Sequence, residues 1–226
     1  MFACIAEVLD AELLATVRRL LDEARFVDGT ATAGWHARLV KDNEQAASGH
    51  AAVREAGALV EGALRANPVF QAMALPRRMR PMLFARYGKG RSYGTHMDDA
   101  LMGLDDPAGP MRTDVAVTVF LAPTDEYDGG ELVVEAGGGE QAFKLNAGDA
   151  VAYPATTLHR VMPVTRGQRM VAVTWAQSLV RDAAAREILF DLHAARRSMF
   201  ERDGKSAAFD LVSKSYANLL RRWSDS

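Results

Sequence analysis

Apolar and polar positions change rhythm twice along this chain. From Asp10 the rhythm is helical: Asp10 can cap, and Leu13, Leu14, Val17, Leu20 and Leu21 follow at helical spacing until "VDGTATAG" breaks it. A second helix is predicted from about Glu44 to Ala66, with Val53, Leu59, Val60 and Leu64 inward, and Asn67-Pro68 ends it. "LPRRMRP" reads as a connector. From residue 82 the rhythm shortens. "MLFARY", "TDVAVTVFLA", "GELVVE", "QAFKLN", "DAVAYP", "LHRVMPV" and "QRMVAVTWAQ" are short, rich in Val, Phe, Tyr and Thr, and separated by turns such as "DEYDGG", "AGGG" and "NAGD". Strands at this spacing predict an all-β sandwich or barrel. After Arg181 the helical rhythm returns in "DAAAREILFDLHAARRSMFER", stops at Gly204, and resumes in "SAAFDLVSKSYANLLRRW". The expected organisation is mainly β with flanking helices: an N-terminal helical region over 1–77 packing on the core, a β core over 78–178 and a helical extension over 179–226.

Composition narrows the function classes. With 226 residues, 49% hydrophobic and 25% charged, the chain is expected to be globular. A net charge of -2 with scattered arginines argues against a nucleic-acid surface. No apolar run approaches the roughly 20 residues of a membrane span. The opening "MFACIAEVLDAELL" lacks a basic leader and is not expected to be a signal peptide. The single cysteine, Cys4, cannot form an internal disulfide and is expected to be a small buried apolar residue. These features suit a cytoplasmic protein.

The candidate chemistry begins in "YGTHMDDALMG". His96 and Asp98 are two residues apart, so in an extended segment both side chains share one face, as a metal requires of its donors. Asp99 competes with Asp98, but its spacing is wrong and it is expected to be solvated or to sit behind the ligands. A third ligand must come from elsewhere. His159 opens a predicted strand, His36 lies in a loop, His50 lies within or beside the second helix and His193 lies on the tail. Two histidines and one carboxylate leave about half of an octahedral metal open, as in the facial triad of non-haem iron(II) oxygenases. A hydrolytic zinc site can use the same donors, although the H-E-x-x-H motif is absent. Ten residues after His159 stands Arg169, and its strand alternates through Arg169, Val171, Val173 and Trp175. An arginine on an apolar inward face needs an anion, because an unpaired buried charge is costly. A carboxylate would grip it with two parallel hydrogen bonds. No G-x-S-x-G elbow supports a serine hydrolase.

The order H-x-D, a distant His and then Arg resembles the iron(II)/2-oxoglutarate dioxygenases of the prolyl-hydroxylase type. "AGWHARLVKDNEQ", "RYGKGRSYGTHMDDAL", "RTDVAVTVFLAPTDEYDGGELVVE" and "KLNAGDAVAYPATTLHRVMPVTRGQRMVAVTWAQSLVRD" resemble the bacterial PKHD-type hydroxylases more closely, over most of the chain. This resemblance implies a double-stranded β-helix, or jelly roll, holding Fe2+ through His96, Asp98 and His159. It implies Arg169 on the distal carboxylate of 2-oxoglutarate, with Tyr87 and Thr118 helping to hold that cosubstrate. It implies O2 as the second cosubstrate, succinate and CO2 as products, and hydroxylation of an unactivated C–H bond. L-ascorbate is left open as a further requirement. The substrate, a small molecule or a peptide, is not specified. The alternative is a non-catalytic module on the same fold that senses or binds iron and 2-oxoglutarate. The helical tail could pack on its own β core or make a homo-oligomer.

Overall fold

The run Val115–Phe120 is buried at every position. Alternate side chains of a strand point to opposite faces, so this strand must be covered on both sides. In the computed structural model, which describes residues 1–225, one face meets helices and the other meets a second sheet.

In chain order, strand β1 (Ala3–Ile5) leads to helix α1 (Ala11–Asp22), then β2 (Phe26–Asp28), two short 3-10 turns and β3 (Glu44–Ala46). Helices α2 (Ala51–Ala66) and α3 (Pro68–Ala74) follow. The strands β4 (Pro76–Met79), β5 (Leu83–Tyr87), β6 (Tyr93–His96), β7 (Leu101–Met102), β8 (Met111–Arg112) and β9 (Val115–Phe120) come next. Then come β10 (Tyr127–Gly129), β11 (Leu132–Ala136), β12 (Gly139–Phe143), β13 (Ala150–Pro154), β14 (His159–Val161), β15 (Val164–Gly167) and β16 (Arg169–Ser178). Helices α4 (Ala183–Asp203) and α5 (Ala207–Trp223) form the tail.

The larger sheet has the order β1-β13-β9-β16-β5-β3-β2, with β4 also paired to β16, and the facing sheet has the order β12-β11-β14-β6. Together they make the jelly roll. Val115, Val117 and Val119 pack against Leu20, Leu21, Val53, Val60 and Phe70 of the N-terminal helices. Ala116 and Phe120 turn the other way, toward Leu132, Val134 and Val161 of the facing sheet. The two-sided burial is why the strand reads as an apolar run, interrupted only by Thr118.

Three expectations need correction and one gains a second part. The second helix begins at Ala51, because Glu44–Ala46 pair with both β2 and β5 as strand β3. "LPRRMRP" is no mere connector: Pro76, Arg78 and Met79 pair with β16. Asn67 ends α2 but also starts α3, its side chain accepting from the Val69 and Phe70 amides with Pro68 in the first turn. Cys4 is exposed, because in β1 Ala3 and Ile5 take the inward positions.

The tail packs on its own chain. Leu189, Val180 and Tyr216 form a small cluster joined by Leu75, and the Leu179 amide donates to the Leu75 carbonyl. Buried Arg186 donates to the Val180 and Arg181 carbonyls, both at 2.8 Å. Among the described residues, no helix is long and apolar enough to cross a membrane.

Candidate active site

Strand pairing brings the first two candidate ligands together. β6 and β14 are antiparallel neighbours, and their register sets His96 directly opposite His159. The ring centroids lie 4.3 Å apart. Asp98, just beyond the end of β6, returns to the same point, with Oδ1 3.8 Å from His159 Nε2. Donor atoms of His96, Asp98 and His159 all lie within 4.8 Å of one another. Three donors around one small space suit a divalent cation.

The main chain orients both rings. His96 Nδ1 lies 2.8 Å from the Gly94 carbonyl and His159 Nδ1 lies 3.1 Å from the Thr157 carbonyl. A carbonyl only accepts, so each Nδ1 carries the proton and each Nε2 keeps its lone pair for a metal. Burial, with help from the neighbouring His159, pushes His96 down to about 3, so it is neutral at ordinary pH. Tyr93 stacks on His96 at 3.6 Å between centroids, and Tyr153 meets His159 edge-on. Burial pushes the Asp98 carboxyl up, against the pull of His159. Its Oδ2 is buried and has no hydrogen-bond partner. The Trp175 indole N–H lies near enough to favour the charged carboxylate without closing a hydrogen bond to it. A bound cation would satisfy this oxygen and reverse the cost of its burial. The donor set therefore fits a ferrous ion.

The second feature is Arg169. It opens β16, is 1% exposed, and its Nε has no hydrogen-bond partner. No carboxylate among the described residues pairs with it. Instead it lies over the rings of Tyr87 and Phe120, at 5.2 and 5.6 Å from their centroids. Register sets Tyr87 opposite Arg169. Gly130, at φ +69, makes room, since a side chain there would press Arg169 Cδ and Val164. Aromatic faces soften the burial of a guanidinium but do not neutralise it.

His96, Asp98, His159, Arg169, Tyr87 and Thr118 all line one cavity of about 100 Å³, walled by apolar residues including Leu132, Val171 and Trp175. Asp99 reaches the cavity but is exposed. His36 and His50 stand outside the donor group as exposed residues, and His193 on α4 contacts Arg196. Sequence reasoning missed the wall contributed by Lys41, Asn43 and Gln45. Asn43 Nδ2 donates to Tyr87 Oη at 2.8 Å and so fixes that tyrosine. The missed signal is an alternation of polar residues. Lys41, Asn43 and Gln45 are buried, while Asp42 is exposed and Glu44 half-buried.

Comparison with known proteins identifies the family and the fold. Residues 82–177, which carry all six of the expected site residues, match the 2OG-Fe(II) oxygenase superfamily. A prolyl hydroxylase from Trichoplax adhaerens, in complex with a peptide fragment of the hypoxia inducible factor oxygen degradation domain, shares the fold. Its TM-score is 0.57 at 14% identity, over 77% of this chain and 82% of that one. HygX from Streptomyces hygroscopicus, with nickel, 2-oxoglutarate and hygromycin B bound, has a TM-score of 0.53 at 13% identity, over 79% and 84%. The fold and the superfamily match define an iron(II)- and 2-oxoglutarate-dependent oxidoreductase. A PKHD-type hydroxylase of Synechococcus sp. (strain JA-2-3B'a(2-13)) is 51% identical over 225 residues, covering 100% of both chains. This chain belongs to the PKHD-type hydroxylases.

Proposed function

We propose that the protein hydroxylates an unactivated C–H bond of a small molecule or peptide, consuming 2-oxoglutarate and O2 and releasing succinate and CO2. His96, Asp98 and His159 hold Fe2+. Arg169 receives the distal carboxylate of 2-oxoglutarate, and Tyr87 and Thr118 border that carboxylate. When bound, the iron supplies the oxidative chemistry, and the protein supplies orientation and a shielded site. The two imidazoles present Nε2 lone pairs because their Nδ1 protons are committed to main-chain carbonyls. Asp98 adds a carboxylate whose free oxygen has no protein partner. The observation that carries the reading is that one cavity holds two incomplete charges, the Asp98 carboxylate and the Arg169 guanidinium. A cation and a dicarboxylate would complete both.

The test is an anaerobic titration of the iron(II)-loaded protein with 2-oxoglutarate, followed by its visible charge-transfer band, and then succinate release on admitting O2. A band and succinate that both require iron and 2-oxoglutarate support the enzyme. A band with no succinate under any substrate would favour a binding or sensing module. Metal retention with no band would sink the cosubstrate assignment and return weight to a zinc hydrolase.

A further inference from the structure

The cavity contains a second buried cation that neither metal nor cosubstrate uses in the reading above. Lys41 is 8% exposed and lines the cavity. It is held firmly. Its backbone bridges Tyr93, the Asp42 amide donates to the Ser92 carbonyl, and the Gly94 amide donates to the Val40 carbonyl. Gly94 permits this approach, because a side chain there would meet Val40 Cβ at 2.8 Å. The ammonium lies 5.3 Å from the Tyr93 ring centroid and donates to Thr32 Oγ1 at 2.9 Å. Thr32 Oγ1 in turn approaches Gln45 Oε1 at 2.6 Å. An ammonium has three donors, and among the described residues no carboxylate comes close enough to form an ion pair with this one; Asp28 and Asp98 act on it only at longer range. Gln45, 6% exposed, lines the same cavity, and its Oε1 shares the Thr32 hydroxyl proton with the Gly29 carbonyl.

The charge balance sharpens the point. The buried charged side chains of the cavity are Lys41, Arg169 and Asp98, with Asp99 exposed at its edge. Together the three carry one net positive charge. A ferrous ion and a 2-oxoglutarate dianion cancel each other, so the loaded site keeps that excess. The apolar stem of a lysine covers an aromatic ring without needing the charge at its end. A buried ammonium is costly unless something anionic meets it. Burial does oppose the charge, bringing Lys41 down to about 8.

We propose that Lys41, with Gln45 beside it, is the substrate-recognition point of this enzyme, and that the molecule hydroxylated carries a carboxylate received there. This rests on the function proposed above and assigns the substrate a chemical class.

The experiment uses the full chain loaded anaerobically with iron(II) and 2-oxoglutarate, titrated with butyrate or with neutral butyramide at constant ionic strength. The iron visible band is the readout. Butyrate should perturb it saturably and butyramide should not. Lys41→Met should weaken butyrate by at least about tenfold, the scale of a charge-assisted hydrogen bond. The 2-oxoglutarate midpoint should stay within about twofold. Lys41→Gln is the second neutral variant should the first not fold. Equal butyrate binding in wild type and variant, or none in wild type, overturns the proposal. A weakened 2-oxoglutarate midpoint also overturns it, by assigning Lys41 to the cosubstrate. Absence of the iron–2-oxoglutarate band in wild type is a different failure, that of the function itself.

Discussion

The cavity has two walls of different make. One is built from strands β5, β6, β9, β14 and β16 and carries His96, His159, Arg169, Tyr87 and Thr118. The other is the segment from Thr32 to Gln45, mostly turns, which carries Lys41, Asn43 and Gln45. In the first wall, cross-strand register fixes each side chain to its neighbour, His96 to His159 and Tyr87 to Arg169. In the second, a few hydrogen bonds and a bridge to Tyr93 do so. The difference teaches where constancy and choice can reside. In the function proposed above, metal and cosubstrate demand fixed geometry and would meet the strands, whereas substrate recognition can be delegated to a segment that is easier to alter.

Substitutions can break this division. The largest effect is expected in the strand wall: His96→Ala or His159→Ala should abolish iron binding, measured by metal content after desalting, and with it all succinate release. Arg169→Ala should leave iron bound while raising the 2-oxoglutarate requirement by about one to two orders of magnitude, as expected for a charged bidentate contact. An unchanged requirement would show that Arg169 is not the anion clamp. Asn43→Ala crosses from one wall to the other. Through the lost 2.8 Å bond to Tyr87 it should raise the 2-oxoglutarate requirement only a few-fold, about 1 kcal/mol.

The last prediction concerns stability and not turnover: a pH dependence in the metal-free protein. Burial lowers Lys41 from 10.5 to about 8 in the folded state, opposed by Asp28 and Asp98. Between those values the unfolded chain holds more protons, so this residue makes stability rise with pH in that window. Urea unfolding at pH 7.5 and 9.5 should show a larger gain for wild type than for Lys41→Met. Equal gains would mean Lys41 is not desolvated as its surroundings require.

Legibility in the sequence follows the same division. The core strands could be read because burial on two faces writes an apolar run, as in "VAVTVF". The candidate ligands, which the fold does bring together, could be read because a metal restricts residue type and spacing, and Arg169 stood out as a charge on an apolar face. The N-terminal strands could not. Each of β1, β2 and β3 has three residues, too few for a period to declare itself. "EQAA" also has good helix formers, and only pairing with β2 and β5 draws Glu44–Ala46 into the sheet. Lys41 and Asn43 were present in a quoted resemblance but had no role there. Their role depends on Tyr93 and Tyr87, about fifty and forty-four residues away, and only folding creates those neighbours.

The main-chain carbonyls behind His96 and His159 carry a consequence for how this site tolerates mutation. In many metal centres a carboxylate side chain holds the imidazole, and its replacement weakens the metal. Here the acceptors belong to Gly94 and Thr157, and every residue type supplies a carbonyl. No substitution deletes those acceptors; it can only displace them by bending the chain. The aim of both imidazoles is thus insulated from neighbouring side-chain drift, and the metal site can stay constant while the residues around it diversify.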